Sequence, residues 1–378
     1  MRFLDYVSVN PKISLEKERI YPFVEMGDVS TSFRNPDKVE YKSFDSGVKF
    51  ADGDTVIARI TPCLQNGKRF YCKNIGKGFG STEYLVFRPK DSSVDNLYLY
   101  YFMNTDFIKE SMVRSMVGAT GRQRVNNDVF SRLDVTFPNI EIQRRIAEIL
   151  STYDDLIENN RKQIKLLEEA AQRLYKEWFV DLRFPGHENT KITDGVPEGW
   201  RRERLVDLVD VQYGYAFDGS QFNATRNGMP IIRIRNIPSG NTCDYTTEKV
   251  DVQYVVHNGD ILVGMDGEFH INSWSGPDAY LVQRTCSFRP NKSSMKGYLL
   301  QAIYEPIKFF ESTVVGATVA HLGKKHIDTI SVLTCPDNLY VPFQKYYEQR
   351  KLLLNQNWLL TEARDRLLPK LMSGEIEV

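Results

Sequence analysis

Two groups of polar loops carry the residue types that could contact a nucleic acid. Each loop follows an apolar run and combines Arg, Lys, Asn, Gln or Thr with neighbouring glycine. Arginine reads guanine and Asn or Gln reads adenine through paired hydrogen bonds, whereas Thr, Lys and backbone amides hold phosphate. In the first half of the chain the candidates are Arg59, Thr61, Gln65, Asn66, Lys68, Arg69, Thr120, Arg122, Gln123, Arg124 and Asn126.

The second half of the chain carries a matching group of loops with different side chains. Any one of these residues could be an ordinary solvated loop residue. The loops recur in the same order, however, with different polar side chains. Two domains that bind two different short sequences would need a similar backbone with different polar side chains at the ends of the loops. The candidates in this half are Arg233, Arg235, Asn236, Asp266, His270, Asn272, Thr318, His321, Lys324 and Lys325.

The sequence lacks the motifs of an enzyme that acts alone. Gly76–Gly80 is rich in glycine but has neither the Walker nor the dinucleotide-binding spacing. No Asn/Asp-Pro-Pro-aromatic motif of an amino-methyltransferase is present. Pro36-Asp37 and Glu40–Lys42 superficially resemble a nuclease metal motif, but the short gap between them cannot bring in a second strand. The five His residues show no ligand spacing, so we expect no metal and no catalytic site.

Length, charge and cysteine usage restrict the class of protein. The 378 residues suffice for two domains, and 49 basic and 49 acidic residues give zero formal net charge. DNA contacts must therefore come from a few placed side chains rather than from a uniformly basic surface. The five Cys are scattered, and the sequence has neither a signal peptide nor an apolar run long enough for a membrane span. We expect a cytoplasmic protein with no membrane contact.

The chain repeats itself at an offset of about 200 residues, which is the size of a domain plus a connector. The matching segments occur in the same order in both halves, which makes chance an unsatisfactory explanation. The pairs are Gly53-Asp54 with Gly259-Asp260, Phe87-Arg88-Pro89 with Phe288-Arg289-Pro290, and Val117–Thr120 with Val315–Thr318.

A long helical segment follows each half. Glycine and proline are absent from 139–184, and apolar residues recur there at steps of three and four, interrupted between Leu156 and Ile164 around Asn160. Residues 339–378 repeat the pattern with Asn357 in the polar position. Packing of each helix against its own half is the simpler alternative, but the length of the stripe favours pairing of the two helices. The residues predicted for a subunit interface on these helices are Ile146, Ile149, Tyr153, Ile164, Leu167, Leu174, Leu353, Leu360 and Leu367.

These observations predict an α+β protein with two similar mixed α/β domains separated by two long helices. An antiparallel coiled coil would place the domains at opposite ends of a pseudo-twofold dumbbell. The predicted divisions are an N-terminal recognition domain (1–138), a central helical region (139–184), a C-terminal recognition domain (185–338, linker-like over 185–200) and a C-terminal helical region (339–378).

Several motifs give the chain a resemblance to a known family, the specificity subunits of type I restriction-modification systems. Val196–Trp200 resembles the entry to that family's second target recognition domain, and Lys176–His187 resembles the end of its central conserved region. The C-terminal Arg366–Ile376 is similar to the family's usual ending. Gly80–Tyr84 and Gln283–Cys286 resemble signatures of its recognition domains.

The resemblance implies a DNA-binding subunit with no catalytic role and no cofactor of its own. Each recognition domain would read one half of an asymmetric bipartite site in double-stranded DNA. The helices would set the spacing and dock two methyltransferase subunits, with an endonuclease-translocase subunit joining for restriction. These partners would use S-adenosylmethionine, ATP and Mg²⁺.

Two features depart from the family pattern, and two other classes of protein stay open at this stage. The first domain lacks an entry like Gly199-Trp200, and the match of Gln344–Ala363 to the longer Gln143–Ala170 predicts a shorter second helix. The alternatives are a stand-alone divergent DNA methyltransferase or nuclease, and a coiled-coil protein with no nucleic-acid role.

Overall fold

Two strand-rich lobes and two long helices make up the chain, in the order that the sequence pattern predicts. The computed structural model describes residues 2–119, 121–313 and 320–378. Met1–Asn159 and Leu359–Val378 form unit one, and Asn160–Trp358 forms unit two. Unit one contains lobe one (residues 2–138) and unit two contains lobe two (residues 201–338).

Lobe one consists of short strands followed by short helices. In chain order these elements are α1 (Phe3–Tyr6), β1 (Val7–Val9), β2 (Ile20–Val24), β3 (Glu40–Ser43), β4 (Val48–Phe50), β5 (Thr55–Ala58), β6 (Arg69–Tyr71), β7 (Gly78–Gly80), β8 (Tyr84–Pro89), α2 (Asn96–Phe102), α3 (Asp106–Arg114) and α4 (Val129–Arg132).

The strands of lobe one form two four-stranded sheets. The first is antiparallel and has the order β1-β8-β5-β6, and the second has the order β3-β2-β7-β4 with a parallel β2–β7 pair. Strand β8 is buried on both faces, because Leu85 and Phe87 enter one core while Tyr84 and Val86 enter another. Alternate side chains point to opposite faces of a strand, so this strand appears in the sequence as a continuous apolar run.

The first long helix leads from lobe one to lobe two. It is followed by a π-helical turn (Lys176–Val180) and a short hairpin before lobe two begins. The elements are α5 (Ile140–Tyr175), β9 (Ile192–Thr193), β10 (Val196–Pro197), β11 (Arg201–Arg204), α6 (Leu205–Leu208), β12 (Val209–Tyr213), β13 (Phe222–Asn223), β14 (Met229–Ile232), β15 (Tyr245–Thr246), β16 (Val255–Val256), β17 (Ile261–Gly264), β18 (Ile271–Ser273), β19 (Ala279–Leu281), β20 (Thr285–Pro290), α7 (Lys296–Ala302), α8 (Tyr304–Thr313), α9 (Lys324–Ile327), β21 (Ser331–Thr334) and α10 (Val341–Ser373).

Lobe two repeats the topology of lobe one. Its antiparallel sheet has the order β12-β20-β17-β18, which matches β1-β8-β5-β6 strand for strand. Its second sheet, β13-β15-β14-β19-β16, also contains a parallel pair, β14–β19, and adds β13 at one edge. The duplication predicted from short sequence matches is thus a duplication of fold.

The repeated sequence motifs form the same buried ion pair in each lobe. In lobe one the Asp54 carboxylate is fully buried and accepts hydrogen bonds from Arg88 Nε and Nη2 at 2.6 and 2.8 Å. In lobe two Arg289 Nε donates to Asp260 Oδ2 at 3.3 Å. The Gly-Asp motif lies in the turn before β5 or β17, and the Phe-Arg-Pro motif lies in β8 or β20. The sequence matches therefore reflect a contact between neighbouring strands that is the same in both lobes.

The second long helix is the shorter one, as the sequence predicts, although it is shorter by only a few residues. Helix α5 has 36 residues and α10 has 33, or about 54 and 50 Å at 1.5 Å per residue. The matching motif in α10 ends early, but the helix continues to Ser373 because leucines further along still pack on one face. The first part of α5, up to Asn159, belongs to unit one and the remainder to unit two.

In unit one the two helices run antiparallel. Asp154 of α5 accepts a hydrogen bond from Arg364 of α10 at 2.5 Å. The earlier residues Ile146 and Leu150 share a core with the later residue Leu371. The observed buried stripe departs from the predicted one at Leu156, which is 47% exposed, while Asp154 and Ile157 are buried. The spacing of apolar residues did not predict which face of α5 is buried here, because the charged residue Asp154 occupies a core position.

In unit two the helices are also antiparallel, with Asn160 paired to Gln356 and Glu168 paired to Arg350. Asn160 and Asn357 are both about 7% exposed, so the polar position of each predicted helix stripe is buried. Asn160 Nδ2 donates to Gln356 Oε1 at 3.4 Å. Polar groups at such positions favour one helix register over others.

A buried arginine of α10 joins three elements in each unit. In unit one Arg364, 4% exposed, binds Asp154 of α5, which also accepts a hydrogen bond from Tyr101 of lobe one at 2.5 Å. In unit two Arg350, 8% exposed, donates to Glu168 of α5 at 2.6 Å. The same guanidinium donates to Ser273 Oγ and Asn272 Oδ1 of lobe two at 2.6 and 2.5 Å.

Replacing Arg364 with alanine should destabilise unit one by about 3–5 kcal/mol, because the Asp154 carboxylate stays buried without its countercharge. Hydrogen exchange measured by mass spectrometry should show faster exchange in lobe one and in Ile140–Asn159 than in the wild type. The matched control is Arg366→Ala, since the Arg366 side chain is 78% exposed and pairs with Glu362, and its loss should change stability by only about 0.5 kcal/mol. Equal effects of the two substitutions would contradict the structural role of Arg364.

Candidate nucleic-acid interface

Three backbone segments of lobe one meet at the ends of β5 and β8 and form a frame for the candidate loops. The segments are Arg59–Thr61, Glu83 and Gln123–Val125. Arg59 N donates to the Glu83 carbonyl at 2.8 Å, Val125 N to the Arg59 carbonyl at 2.9 Å, and Thr61 N to the Gln123 carbonyl at 2.9 Å. We call this arrangement the three-segment frame.

Lobe two has the same frame, built from Met265–Gly267, Arg284 and Ala320–Leu322. Met265 N donates to the Arg284 carbonyl at 2.9 Å, Leu322 N to the Met265 carbonyl at 2.7 Å, and Gly267 N to the Ala320 carbonyl at 3.0 Å. Each of these three hydrogen bonds has a counterpart in lobe one. Glu83 therefore corresponds to Arg284, and Arg124 corresponds to His321.

The side chains on the two frames differ in charge and in partners. In lobe one the Arg124 guanidinium binds the Glu83 carboxylate through Nε at 2.9 Å and Nη2 at 2.6 Å. This hydrogen bond lowers the pKa of the Glu83 carboxyl. In lobe two His321 Nδ1 lies 2.5 Å from Asp266 Oδ1 and 3.4 Å from Arg284 Nη1. An acidic residue at one frame position is thus replaced by a basic one in the other lobe.

The frame brings together some of the residues predicted for lobe one and exposes others. Gln65, Asn66 and Arg122 are exposed, and among the described residues the Arg122 guanidinium has no hydrogen-bond or ion-pair partner. Asn126 is also exposed, although its Oδ1 accepts a hydrogen bond from Asp128 N at 3.0 Å. Gln123 is half-buried, and its backbone bonds to Thr61.

Other candidates of lobe one are engaged in holding the lobe together. Thr61, predicted to contact DNA, is buried, and its Oγ1 accepts a hydrogen bond from Gln123 N at 3.0 Å, so it belongs to the frame. Arg59 donates to the Val125 carbonyl at 3.1 Å, Lys68 to the Met26 carbonyl at 2.6 Å, and Arg69 to the Gly67 carbonyl at 2.8 Å. These three half-buried side chains support neighbouring loops.

Two predicted base readers of lobe two are structural residues. Asn236 is 8% exposed, and its Oδ1 accepts a hydrogen bond from Arg233 N at 2.8 Å. Asn272 Nδ2 donates to the Ile237 and Pro238 carbonyls at 2.9 and 3.0 Å, and its Oδ1 accepts from Arg350. In this conformation the Asn236 oxygen and the Asn272 nitrogen therefore fix loop backbone.

The remaining candidates of lobe two keep polar surface exposed. Arg235 is exposed and held side-on by Asp244, with Nη2 at 2.6 Å from Oδ1. Arg233 lies over the Phe222 ring, 5.8 Å from its centroid. His270 is half-buried, 3.5 Å from Glu268. Lys324 and Lys325 are exposed at the start of α9. Thr120 and Thr318, which were also predicted to contact DNA, lie outside the described residues.

Sequence reasoning missed Glu83 and Arg284 as functional candidates. Each residue lies directly before the central strand of its lobe and contributes its carbonyl to the frame. The available signal was their shared position, since both fall within the recognition-domain signatures Gly80–Tyr84 and Gln283–Cys286. Glutamate accepts a hydrogen bond from cytosine and arginine donates to guanine, so these types suit base contacts.

The helix residues predicted as an interface are used mainly within the chain. Ile146 is buried in the core of unit one with Leu368 and Leu371, and Leu174 packs against the core of lobe two. A partner subunit cannot reach the buried members of this set. Ile146 and Ile164 are buried, whereas Ile149, Tyr153, Leu167, Leu174, Leu353, Leu360 and Leu367 are half-buried.

The comparison with protein families decides the class of this protein. The model of the type I restriction modification DNA specificity domain matches residues 9–169 and again residues 197–338. The chain belongs to this family. The two matches cover both lobes and most of α5, in agreement with the duplicated topology.

Individual relatives agree with this assignment, and a solved structure shares the fold. The chain is 30% identical to the EcoAI specificity subunit of Escherichia coli, covering 85% of this chain and 72% of that protein. It is 26% identical to the MjaIX specificity subunit of Methanocaldococcus jannaschii, covering 77% and 71%. The fold is similar to that of a type I restriction-modification S subunit from M. genitalium, with a TM-score of 0.52, 15% identity and coverage of 98% and 94%.

As a specificity subunit, the chain recognises a DNA sequence through two target recognition domains. It is non-catalytic by itself and functions within a type I restriction-modification complex. This confirms the predicted DNA-specificity function and the predicted fold class, and the stand-alone enzyme is not favoured. Within the described parts of the chain, no group of three or more metal-ligating side chains is present and no helix has the length and apolarity to cross a bilayer.

Replacing Lys324 and Lys325 together with alanine should weaken DNA binding of the complex for all sequences alike. Exposed lysines act on phosphate as point charges, so the slope of log K against log salt should become shallower by about 0.9 for each lost contact. Fluorescence anisotropy over a salt series measures this slope. A change in base preference without a change in slope would contradict a phosphate role for the two lysines.

Proposed function

We propose that each lobe binds one half of an asymmetric bipartite DNA site and that the paired helices set the separation of the halves. The observation that carries this proposal is the three-segment frame, whose backbone hydrogen bonds are the same in both lobes while its side chains differ. Two identical readers would favour a symmetric site. Glu83 and Arg124 on one frame, and Arg284, Asp266 and His321 on the other, favour two unlike halves.

We further propose that the helices dock two methyltransferase subunits, with an endonuclease-translocase subunit joining for restriction. The exposed leucines of the helices support this proposal: in unit two, Leu166 of α5 is 64% exposed and Leu352 of α10 is 58% exposed. Coverage by a partner subunit would remove these apolar side chains from water. The partners would supply S-adenosylmethionine, ATP and Mg²⁺. We also propose a cytoplasmic location, because five free cysteines suit a reducing compartment.

Exchanging residues 201–338 for the corresponding domain of another specificity subunit should change one half of the recognised motif and leave the other half unchanged. Methylome sequencing of a host that expresses the hybrid chain with its methyltransferase should show N6-methyladenine at the new bipartite motif. The unaltered chain is the control. A motif that is unchanged in both halves, or the absence of any bipartite motif with the unaltered chain, would contradict the proposal.

Leu166→Asp should weaken assembly with the methyltransferase subunit by about 2 kcal/mol, a typical cost for a central interface residue. The isolated chain should keep its stability, because the side chain is exposed. Analytical ultracentrifugation of the mixed subunits measures assembly. The matched control is Lys165→Ala on the neighbouring exposed position, and full assembly of the Leu166 variant would place the docking surface elsewhere.

A further inference from the structure

The Arg124 guanidinium is bound on only one of its faces. Its side-on face, made of Nε and one hydrogen of Nη2, is occupied by the Glu83 carboxylate. Its end-on face, made of Nη1 and the second hydrogen of Nη2, has no partner among the residues that the structure describes. The side chain is 47% exposed. Two parallel donors of the rigid guanidinium fork are therefore offered to solvent.

The backbone beneath Arg124 is fixed on both sides. Arg124 N donates to the Val117 carbonyl, and Val117 N donates back to the Arg124 carbonyl, both at 2.9 Å. Its neighbours Gln123 and Val125 are bonded to Thr61 and Arg59 through the frame. The Cα position of Arg124 is thus set before any ligand binds, which reduces the entropy lost when the side chain makes a contact.

Glu83 is fixed in the same way. Its N–H donates to Ser81 Oγ at 3.1 Å, and its carbonyl accepts the frame bond from Arg59. The turn that carries it depends on Gly80, where a Cβ would lie 2.4 Å from the Val24 carbonyl oxygen. The carboxylate that orients Arg124 therefore rests on a turn with little freedom.

We propose that Arg124 reads a guanine in the half-site of lobe one and that Glu83 is the positioning residue that aims it. This inference rests on the proposed function and names the base contact of that site. Guanine presents two acceptors, N7 and O6, on its major-groove edge, and an end-on guanidinium matches both. Adenine presents one acceptor and one donor there, so the same fork would meet an unfavourable donor–donor contact.

The charge of the pair favours a base over a phosphate. Glu83 neutralises Arg124, and its negative charge repels a phosphate oxygen that approaches the same end-on face. The edge of guanine is uncharged and is not repelled in this way. Arg122, only two residues away, is exposed and without a carboxylate partner among the described residues. The two arginines of this loop thus divide into a base reader and a phosphate contact.

Lobe two carries a different group at the same place on its frame. His321 occupies the position of Arg124, and Asp266 and Arg284 surround it. A guanine contact through this frame position is therefore specific to lobe one. Substitutions at Arg124 should affect only one half of the bipartite site.

The test uses the full chain assembled with its methyltransferase subunit and a randomised duplex library in which both half-sites vary. Arg124→Ala should reduce the preference for guanine at one position of one half-site by about 10- to 100-fold, the range of a bidentate contact. Arg124→Lys keeps the charge but not the fork, so it should lose the same preference and keep overall affinity. Glu83→Gln should lower the guanine preference by about 5- to 10-fold, since a neutral amide holds the fork less firmly.

Arg122→Ala is the matched control, because it removes an arginine from the same loop. It should leave the motif unchanged and make the salt dependence shallower by about 0.9. The inference is overturned if Arg124→Ala lowers affinity equally for all sequences, if Arg124→Lys keeps the guanine preference, or if Glu83→Gln does not reduce it. A wild-type complex that selects no bipartite motif would instead refute the proposed function.

Discussion

The buried arginines of helix α10 are the constraint on which each unit depends. Arg364 in unit one and Arg350 in unit two each contact a carboxylate of α5, and the same polar cluster includes groups of the lobe. A guanidinium cannot be buried without partners for its charge and its donors. Helix register and lobe position in each unit are therefore fixed together, since a shift of either helix by one residue would leave a charge buried and unpaired.

In both lobes the backbone of the three-segment frame is the same, whereas the side chains on it differ. The three-segment frame is held by backbone N–H and carbonyl groups, and these bonds do not depend on side-chain identity. Glu83 can therefore be replaced by Arg284, and Arg124 by His321, at equivalent positions of the same frame. A scaffold of this kind can change the sequence that it reads without a change of fold, because loop side chains carry specificity and a rigid framework positions them.

Much of the fold was accessible from the sequence, and less of the site. The lobes, the two long helices and the burial of Asn160 followed from apolar periodicity and from internal repeats. The backbone contacts of Asn236 and Asn272 could not be predicted, because the residue type of an Asn in a polar loop is the same whether its side chain faces solvent or bonds to backbone. Leu156 was predicted to lie on the buried face of α5 but is exposed, because a pattern of apolar residues cannot show that Asp154 is buried instead.

The sequence by itself determined the duplication, the order of lobes and helices and the absence of known catalytic motifs, because these depend on local pattern and on residue types. Only the tertiary structure decided which polar residues are free. Arg122 and Arg124 are the same residue type, two positions apart, and the sequence does not distinguish them. In the structure Glu83, which is distant in the chain, binds Arg124 and not Arg122. Contacts between distant segments make that choice, and such contacts leave no periodic signal in a single sequence.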